Sequence, residues 1–173
     1  IGAQLDSLAD LVSFGVLPTL IAMKVFYLAG GTGAWSAVML LIVVCAALRL
    51  ARFNVSDDQK SEFVGLPVPA CALLIGSVGW YFAGEAGAAW PDYLPWVVLA
   101  GGVVLAGLMV SPLRMFALKF EGFGFAANAV RYTFLLMALV LILLFDMAGI
   151  GLAVVLYILV SLGLGLVRGR RNR

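Results

Sequence analysis

The 173-residue sequence contains no histidine and little charge. Without histidine, the chain offers no imidazole base, no imidazole metal ligand and no histidine-based pH switch. Charged residues make up 12% of the chain and hydrophobic residues 64%, whereas a soluble domain is about half apolar and roughly a quarter charged. A water-soluble fold of this length has no core large enough for so much apolar surface. The composition therefore indicates that lipid is the solvent for most of the chain.

Cysteine is scarce as well. Cys45 and Cys71 both lie in apolar runs, and we interpret them as small buried hydrophobic residues rather than as disulfide partners. The first residues, Ile1–Asp6, include no initiator methionine, no basic segment and no signal-peptide cleavage site. We therefore expect the sequence to be truncated at its N-terminus.

Six apolar segments follow one another along the chain, each close to the roughly 20 residues with which a helix spans a bilayer. They lack the two-residue alternation of membrane strands, so strands are not expected. The pattern predicts an all-α, polytopic membrane helical bundle, built as a single transmembrane domain over 1–173. One or two further helices are expected before residue 1. The six segments cover 3–28, 33–53, 67–84, 94–111, 127–146 and 149–168.

Lysine and arginine are distributed unevenly between the two ends of these segments. If the first segment begins in the cytoplasm, ten of the eleven basic residues fall on the cytoplasmic side and Lys24 alone falls near the outer side. The outer connections then carry Glu85, Asp92 and Asp146. This asymmetry predicts an integral membrane protein whose first helix starts at the cytoplasmic face. It also predicts a basic cytoplasmic tail over 168–173.

Small and aromatic residues suggest how the segments pack and where they meet the interface. Gly101, Gly102 and Gly107 in the fourth segment, with Gly163 and Gly165 in the sixth, permit close helix contacts, either within the chain or in a homodimer. Five aromatic residues near the outer ends of the third and fourth segments are interpreted as an interfacial belt without chemistry: Trp80, Tyr81, Trp90, Tyr93 and Trp96.

Two carboxylates stand out in the first segment. Asp6 and Asp10 are four residues apart and share one helix face with Gly2. Carboxylates in a membrane span are costly unless they are paired, solvated or metal-bound, and hard oxygen ligands of this kind suit Mg²⁺ or Mn²⁺. Asp6 alone also fits a wet helix end, but Asp10 lies a turn deeper and fits it poorly. Pro18 is expected to kink the helix and to open space beside Asp10.

Two carboxylates are too few for a complete two-metal phosphoryl-transfer site, which needs several ligands. The remaining acids lie in the connections after the second and fourth segments or at the outer ends. We therefore expect the missing ligands to lie before Ile1.

The spacing Gly2-x-x-x-Asp6-x-x-x-Asp10 resembles the second half of the signature of the CDP-alcohol phosphatidyltransferase family, G-x-x-x-D-x-x-x-D. The first half, D-x-x-D-G-x-x-A-R, has no counterpart in this sequence. The resemblance implies that Asp6 is a metal ligand and that Asp10 is a metal-proximal general base. It implies that Gly2 lies against the nucleotide, and that this chain without the first half is inactive.

Four segments resemble the serine branch of that family, the bacterial membrane-embedded phosphatidylserine synthases. This resemblance implies CDP-diacylglycerol and L-serine as substrates, and phosphatidylserine and CMP as products. The segments are Leu5–Pro18, Arg49–Asn54, Phe63–Ala70, and Met109–Ser111 with Lys119–Phe120 downstream.

Basic residues on the predicted cytoplasmic side are candidates for the anionic substrate groups, since a diphosphate or a carboxylate favours arginine or lysine. Arg52 is the first choice, supported by Asn54, and Lys119 and Arg49 follow. Membrane anchoring explains each basic residue singly as well, and Arg131 is expected to snorkel to the interface or to pair with a lipid phosphate.

Two other functions stay open at this point. The first is the same family with another acceptor alcohol, such as glycerol 3-phosphate or inositol phosphate. The second is a small transporter or structural membrane protein that uses Asp6 and Asp10 for ion or proton coupling.

Overall fold

The computed structural model describes residues 2–55, 63–85, 87–115 and 128–171, and within them the chain is almost entirely helical. A five-residue π-helical stretch, Val12–Val16, joins the first two helices, and a 3-10 stretch, Gly33–Met39, leads into the third. The helices are α1 Gly2–Leu11, α2 Leu17–Leu28, α3 Leu40–Val55, α4 Val68–Gly84, α5 Leu94–Val110 and α6 Ala129–Arg171. The prediction of an all-α, polytopic helical membrane protein is confirmed.

Three apolar helices in the described ranges are long enough to cross a bilayer: Leu5–Leu28, Gly33–Asn54 and Ala129–Gly165. Between 22% and 33% of their most apolar windows is buried inside the protein. Most of their apolar surface therefore faces outward, as expected where lipid replaces water. The other two helices, α4 and α5, have 17 residues each and are equally apolar in character.

The last helix, α6, is a hairpin of two antiparallel helices. Its backbone leaves the helical region at Asp146, where φ is 48° and ψ is −123°. The rings of Phe134 and Tyr157 lie 6.0 Å apart between centroids, although 23 residues of straight helix would separate them by about 35 Å. The fifth and sixth predicted segments are therefore the two arms of this hairpin. With α1 and α2 counted as one continuous helix, the described residues contain six helical rods.

The core lies where α3 packs against α5 and where α4 packs between α2 and α6. Glycines permit the closest contacts. A Cβ on Gly102 would lie 2.5 Å from Met39 Sδ, and one on Gly151 would lie 2.6 Å from Ser77 Oγ. Cys45 and Cys71 are both free, as predicted. The largest fully buried side chains include Phe26, Met39, Ile42, Leu66, Met109 and Met115.

Of the five predicted small-residue positions, Gly102 takes part in helix packing within the chain. At the other four, Gly101, Gly107, Gly163 and Gly165, an added Cβ would meet nothing within 4 Å. A contact of these four with a second copy stays a prediction.

One short antiparallel ladder was not expected from the sequence. Strands β1, Phe63–Val64, and β2, Arg114–Met115, pair with Phe63 opposite Met115 and Val64 opposite Arg114. The two strands are the connections just before α4 and just after α5. Two-residue strands carry no periodicity of their own, so only the three-dimensional approach of these connections creates the ladder.

The alternating direction of the helices creates two distinct ends. We call one the aspartate end, because it holds Asp6 and Asp10 together with the β1–β2 ladder. We call the other the tryptophan end, because it holds Trp35, Trp90 and Trp96. Eighteen residues of continuous helix separate Asp10 from the end of α2, which corresponds to about 27 Å.

Candidate active site

Asp6 and Asp10 lie one turn apart on α1, with Asp6 exposed and Asp10 half-buried. Gly2 is exposed, and a Cβ added to it would meet nothing within 4 Å. The chemical roles of the three residues stay predictions.

The helix becomes irregular directly after Asp10. The amide of Leu17 donates to the carbonyl of Val12, which is the i→i−5 pattern of a π-helix. Pro18 follows this wide turn, because proline has no N–H and its ring crowds the preceding turn. The irregularity therefore lies at Val12–Val16, N-terminal to the proline, and π-bulges of this kind are frequent at functional sites. Whether space opens beside Asp10 stays a prediction.

Two contacts hold the wide turn in place. The Thr19 hydroxyl donates to the Gly15 carbonyl over 2.8 Å, which gives an oxygen of the turn a local partner. Gly15 itself packs against α3, since a Cβ there would lie 3.3 Å from Ala46 Cβ and 2.9 Å from Leu11 Cδ1. The backbone that follows Asp10 is thus fixed against the neighbouring helix.

Asn54, at the end of α3, is tied to the same helix as the two aspartates. Its amide Nδ2 donates to Ser7 Oγ over 2.8 Å. Ser7 lies between Asp6 and Asp10 in the sequence, and sequence reasoning did not single it out. Its position inside the Gly-x-x-x-Asp-x-x-x-Asp spacing was the available signal.

Arg52 and Arg49 face different neighbours although they are three residues apart. Arg52 Nη1 donates to the carbonyl of Val110, the last residue of α5, over 3.2 Å. A cation at this position also complements the negative end of the α5 dipole. Arg49 is half-buried, lies close enough to Tyr157 of α6 for the two to interact electrostatically, and has a buried Nε without a hydrogen-bond partner in the described part of the chain.

The segment before α4 docks onto the end of α5. The Gly65 amide donates to the Leu113 carbonyl over 2.8 Å, and the Leu66 amide donates to the Leu108 carbonyl over 2.9 Å. Gly65 has φ of 76°, and a Cβ there would lie 2.3 Å from the Met109 carbonyl oxygen. Glycine is therefore required both by conformation and by space.

These contacts join the segments that resemble the serine branch. Arg49–Asn54 touches the first segment through Ser7 and the α5 end through Val110. Phe63–Ala70 touches the α5 end through Gly65 and Leu66. The described parts of the four segments, with Met109–Ser111 standing for the fourth, therefore meet at the aspartate end, although they are far apart in the sequence.

Several predicted residues lie outside the described structure. Lys119 and its neighbour Phe120 fall in the undescribed range 116–127, and the acidic connection after α3 falls in 56–62. The side chains of the predicted basic tail, 168–173, are not described either. Arg131 Nη1 donates to Asn128 Oδ1 over 2.6 Å, so this arginine has a protein partner that the sequence did not indicate.

No group of three acidic, cysteine or histidine residues in the described ranges is close enough to hold a metal ion. Asp6 and Asp10 are hard oxygen donors one turn apart, which suits part of a divalent-cation site. The donor set thus fits part of such a site, and the role of Asp6 and Asp10 as metal ligands stays a prediction.

Comparison with known proteins decides the family. The sequence model of the CDP-alcohol phosphatidyltransferase family matches residues 1–108, which contain Asp6, Asp10, Arg49, Arg52 and Asn54. The chain belongs to the CDP-alcohol phosphatidyltransferase family. This family is generally dependent on divalent metal ions.

Three curated relatives illustrate the likeness. A CDP-diacylglycerol–serine O-phosphatidyltransferase of Helicobacter pylori is 46% identical over 77 residues, which are 43% of this chain and 32% of the relative. One of Bacillus subtilis is 32% identical over 114 residues, 65% of this chain and 57% of the relative. An archaetidylserine synthase of Methanothermobacter thermautotrophicus is 40% identical over 78 residues, 44% of this chain and 32% of the relative. The match thus spans between a third and three fifths of these relatives, all named for serine chemistry.

Proposed function

We propose that this CDP-alcohol phosphatidyltransferase transfers the phosphatidyl group of CDP-diacylglycerol to L-serine, giving phosphatidylserine and CMP. The observation that carries the proposal is that the described parts of four separate sequence segments meet at the aspartate end. Each segment resembles the serine branch, and contacts of Asn54, Arg52 and Gly65 join them. The names of the relatives, which share serine as the acceptor, support the same choice.

Asp6 and Asp10 would hold the divalent cation, Mg²⁺ or Mn²⁺, on one face of α1. When bound, the cation would offset the negative charge of the diphosphate and of the departing CMP. The remaining ligands are expected from the D-x-x-D-G-x-x-A-R half of the family signature, which these 173 residues do not contain. Gly2 is proposed to lie against the nucleotide, since a residue without a side chain lets a ligand approach the backbone closely.

Asp10 is proposed as the general base. Its carboxylate accepts the proton of the serine hydroxyl as the hydroxyl oxygen bonds to the phosphorus that carries the diacylglycerol. The bond from that phosphorus to the CMP oxygen breaks, and CMP leaves with the electron pair. Asp10 is half-buried whereas Asp6 is exposed, so Asp10 is better shielded from bulk water than Asp6.

The polar residues of α3 are proposed to bind the anionic substrate groups. Arg49 has an unpartnered Nε in the described structure, which suits a ligand that arrives with its own acceptor oxygens. Arg52 bonds α3 to α5, and Asn54 bonds α3 to α1. These two contacts would maintain the shape of the pocket. Lys119 is proposed as a further contact.

The chain is an integral membrane protein, and we propose a bacterial inner membrane with the aspartate end in the cytoplasm. The distribution of lysine and arginine supports this orientation. The diacyl tails would then stay in the bilayer while the diphosphate and serine enter from the cytoplasmic side.

The decisive experiment uses the protein expressed from its full reading frame and purified in detergent. CMP release is measured with CDP-diacylglycerol and either L-serine or glycerol 3-phosphate, with Mg²⁺ or Mn²⁺, and again after chelation. We expect serine-dependent CMP release that stops on chelation and returns with the metal. CMP release with glycerol 3-phosphate but not with serine would overturn the acceptor, and no release with any acceptor would overturn the enzymatic proposal.

A further inference from the structure

A cavity of about 340 Å³ lies at the tryptophan end, far from the proposed catalytic residues. Ligand pockets have volumes of roughly 300–1,000 Å³, so the cavity is large enough for a small headgroup. Its walls come from the turn after α2, the start of the 3-10 stretch and the segment that enters α5. Three of the four tryptophans of the chain line it: Trp35, Trp90 and Trp96.

The aromatic rings approach one another around this cavity. The indoles of Trp35 and Trp96 meet edge to face, with centroids 5.6 Å apart and planes at 72°. These two residues are 61 positions apart in the sequence, so the fold alone brings them together. Trp80 is also exposed at this end of α4 but does not line the cavity. A general affinity of tryptophan for the interface explains each ring singly, but it does not explain their convergence on one cavity.

The electrostatic character of the cavity favours a cation. Asp92 contributes a carboxylate, and no lysine or arginine belongs to the described lining. The turn Ala29–Gly31 places the negative end of the α2 dipole against the same space. Indole faces add a further attraction for positive charge. The carboxylate, the helix dipole and the indole faces therefore all favour a cation.

The size and hardness of the cation follow from the same lining. A metal ion such as Ca²⁺ takes six or more oxygen ligands, whereas this lining offers one carboxylate and much aromatic surface. A large, weakly hydrated organic ammonium suits aromatic faces beside a single carboxylate. The lining therefore selects an alkylammonium group over a metal ion.

We infer that this cavity binds an alkylammonium group through Trp35, Trp90, Trp96 and Asp92. The group arrives either on the headgroup of a choline phospholipid or as a free quaternary ammonium cation. The site does not depend on the proposed transfer reaction, since it lies at the opposite end of the bundle from Asp6 and Asp10. Failure of one proposal therefore leaves the other intact.

The test is a titration of intrinsic tryptophan fluorescence, with the protein expressed from its full reading frame. Tryptophan is a suitable reporter because three of the four tryptophans in these 173 residues line the cavity. The probes are tetramethylammonium chloride, against sodium chloride at equal ionic strength, and dihexanoylphosphatidylcholine, against dihexanoylphosphatidylglycerol. We expect saturable binding of the two ammonium probes and none of the controls. A much tighter phosphatidylcholine isotherm would identify a lipid headgroup as the source, and equal affinities would identify a free cation.

Matched variants separate this site from a general effect on tryptophan. Asp92→Asn is expected to weaken ammonium binding by about three- to tenfold, and Trp96→Leu by a similar factor, while Trp96→Phe retains most of the affinity. Glu85→Gln, an exposed acid at the same end that does not line the cavity, is expected to bind like the parent. Equal affinities in Asp92→Asn and Glu85→Gln would overturn the inference, and this pair keeps the test decisive if Trp96→Leu does not fold.

Discussion

The two ends of the bundle are built by different interactions. At the aspartate end, polar side chains and backbone amides join separate elements, as in the bonds from Asn54 to Ser7 and from Arg52 to the Val110 carbonyl. At the tryptophan end, Tyr27 and Ser36 share one hydrogen bond of 2.7 Å, but most contacts are aromatic, as between Trp90 and Phe82, whose ring centroids lie 5.0 Å apart with planes at 32°. Hydrogen bonds have narrow geometry and fix side chains in place, whereas ring packing tolerates different arrangements. The difference indicates that one end is built for positioned chemistry and the other for anchoring and adaptable binding.

The largest expected effect is on catalysis. It tests whether CMP release requires a carboxylate at the aspartate end but not one at the tryptophan end. Asp10→Asn should lower kcat for CMP release by about 100-fold or more, because a general base contributes roughly 10²- to 10⁴-fold. Glu85→Gln, at the tryptophan end, should stay within about twofold of the parent, since Glu85 is exposed and far from the site. The measurement is CMP release with saturating serine. If Asp10→Asn kept a third of the activity, the base assignment would be wrong.

The second prediction concerns the backbone contact that supports the aspartate end. Gly65→Ala should destabilise the protein by about 2 kcal/mol or more, because a Cβ is disfavoured at φ of 76° and would overlap the Met109 carbonyl. Gly107→Ala is the matched control, since it lies two residues from Met109 and its Cβ would meet nothing within 4 Å. Thermal unfolding in detergent compares the two. Equal melting temperatures would show that the segment before α4 does not dock as described.

The third prediction measures one cross-element hydrogen bond. A double-mutant cycle of Asn54→Ala and Ser7→Ala should give a coupling free energy of about 0.5–1.5 kcal/mol, the net value of a hydrogen bond between neutral groups. Both the free energy of unfolding and kcat/KM for serine should be followed, because the bond joins α3 to the helix of Asp6 and Asp10. Additive effects in both measurements would mean that the contact does not position the site.

Much of the fold could be predicted from the sequence because membrane helices depend on length and composition. The predicted segments 33–53 and 94–111 end within two residues of the ends of α3 and α5, Val55 and Val110. The polar contacts could not be predicted in the same way. Arg49 and Arg52 lie three residues apart on α3, yet Arg49 lies near Tyr157 of α6 and Arg52 bonds to the end of α5. Which neighbour each contacts depends on how α3 is rotated and packed, and a single helical pattern does not contain that information.

Only the part of the candidate site that lies on a single helix could be predicted from the sequence. Asp6 and Asp10 are recognisable from a four-residue spacing, because one helix sets their geometry. The ladder between β1 and β2 and the convergence of Trp35 with Trp96 join residues more than 40 positions apart. Such contacts arise from the packing of whole helices, so no short window of sequence indicates them. For this reason Trp90 and Trp96 were interpreted as part of an interfacial belt, Trp35 was not singled out, and the cavity between them was missed.

The smallest expected effect concerns the turn at Asp146, between the two arms of α6. Among the described residues, Asp146 alone has positive φ without being glycine. Its φ of 48° and ψ of −123° correspond to the first central position of a type II′ turn, where glycine is favoured. Asp146→Gly should therefore raise the free energy of unfolding by about 0.5–1 kcal/mol, because the Cβ strain is relieved while the chain gains some unfolded-state entropy.

Asp146→Ala is the control for this turn, because it removes the same charge but keeps the Cβ. Glycine should be more stable than alanine in thermal unfolding, and CMP release should not change, since the turn lies away from the aspartate end. Equal stability of the two variants would contradict the hairpin geometry at Asp146. A gain for glycine with unaltered catalysis would show that the turn carries strain that the chemistry does not use. In that case the geometric demands of the reaction are confined to the aspartate end.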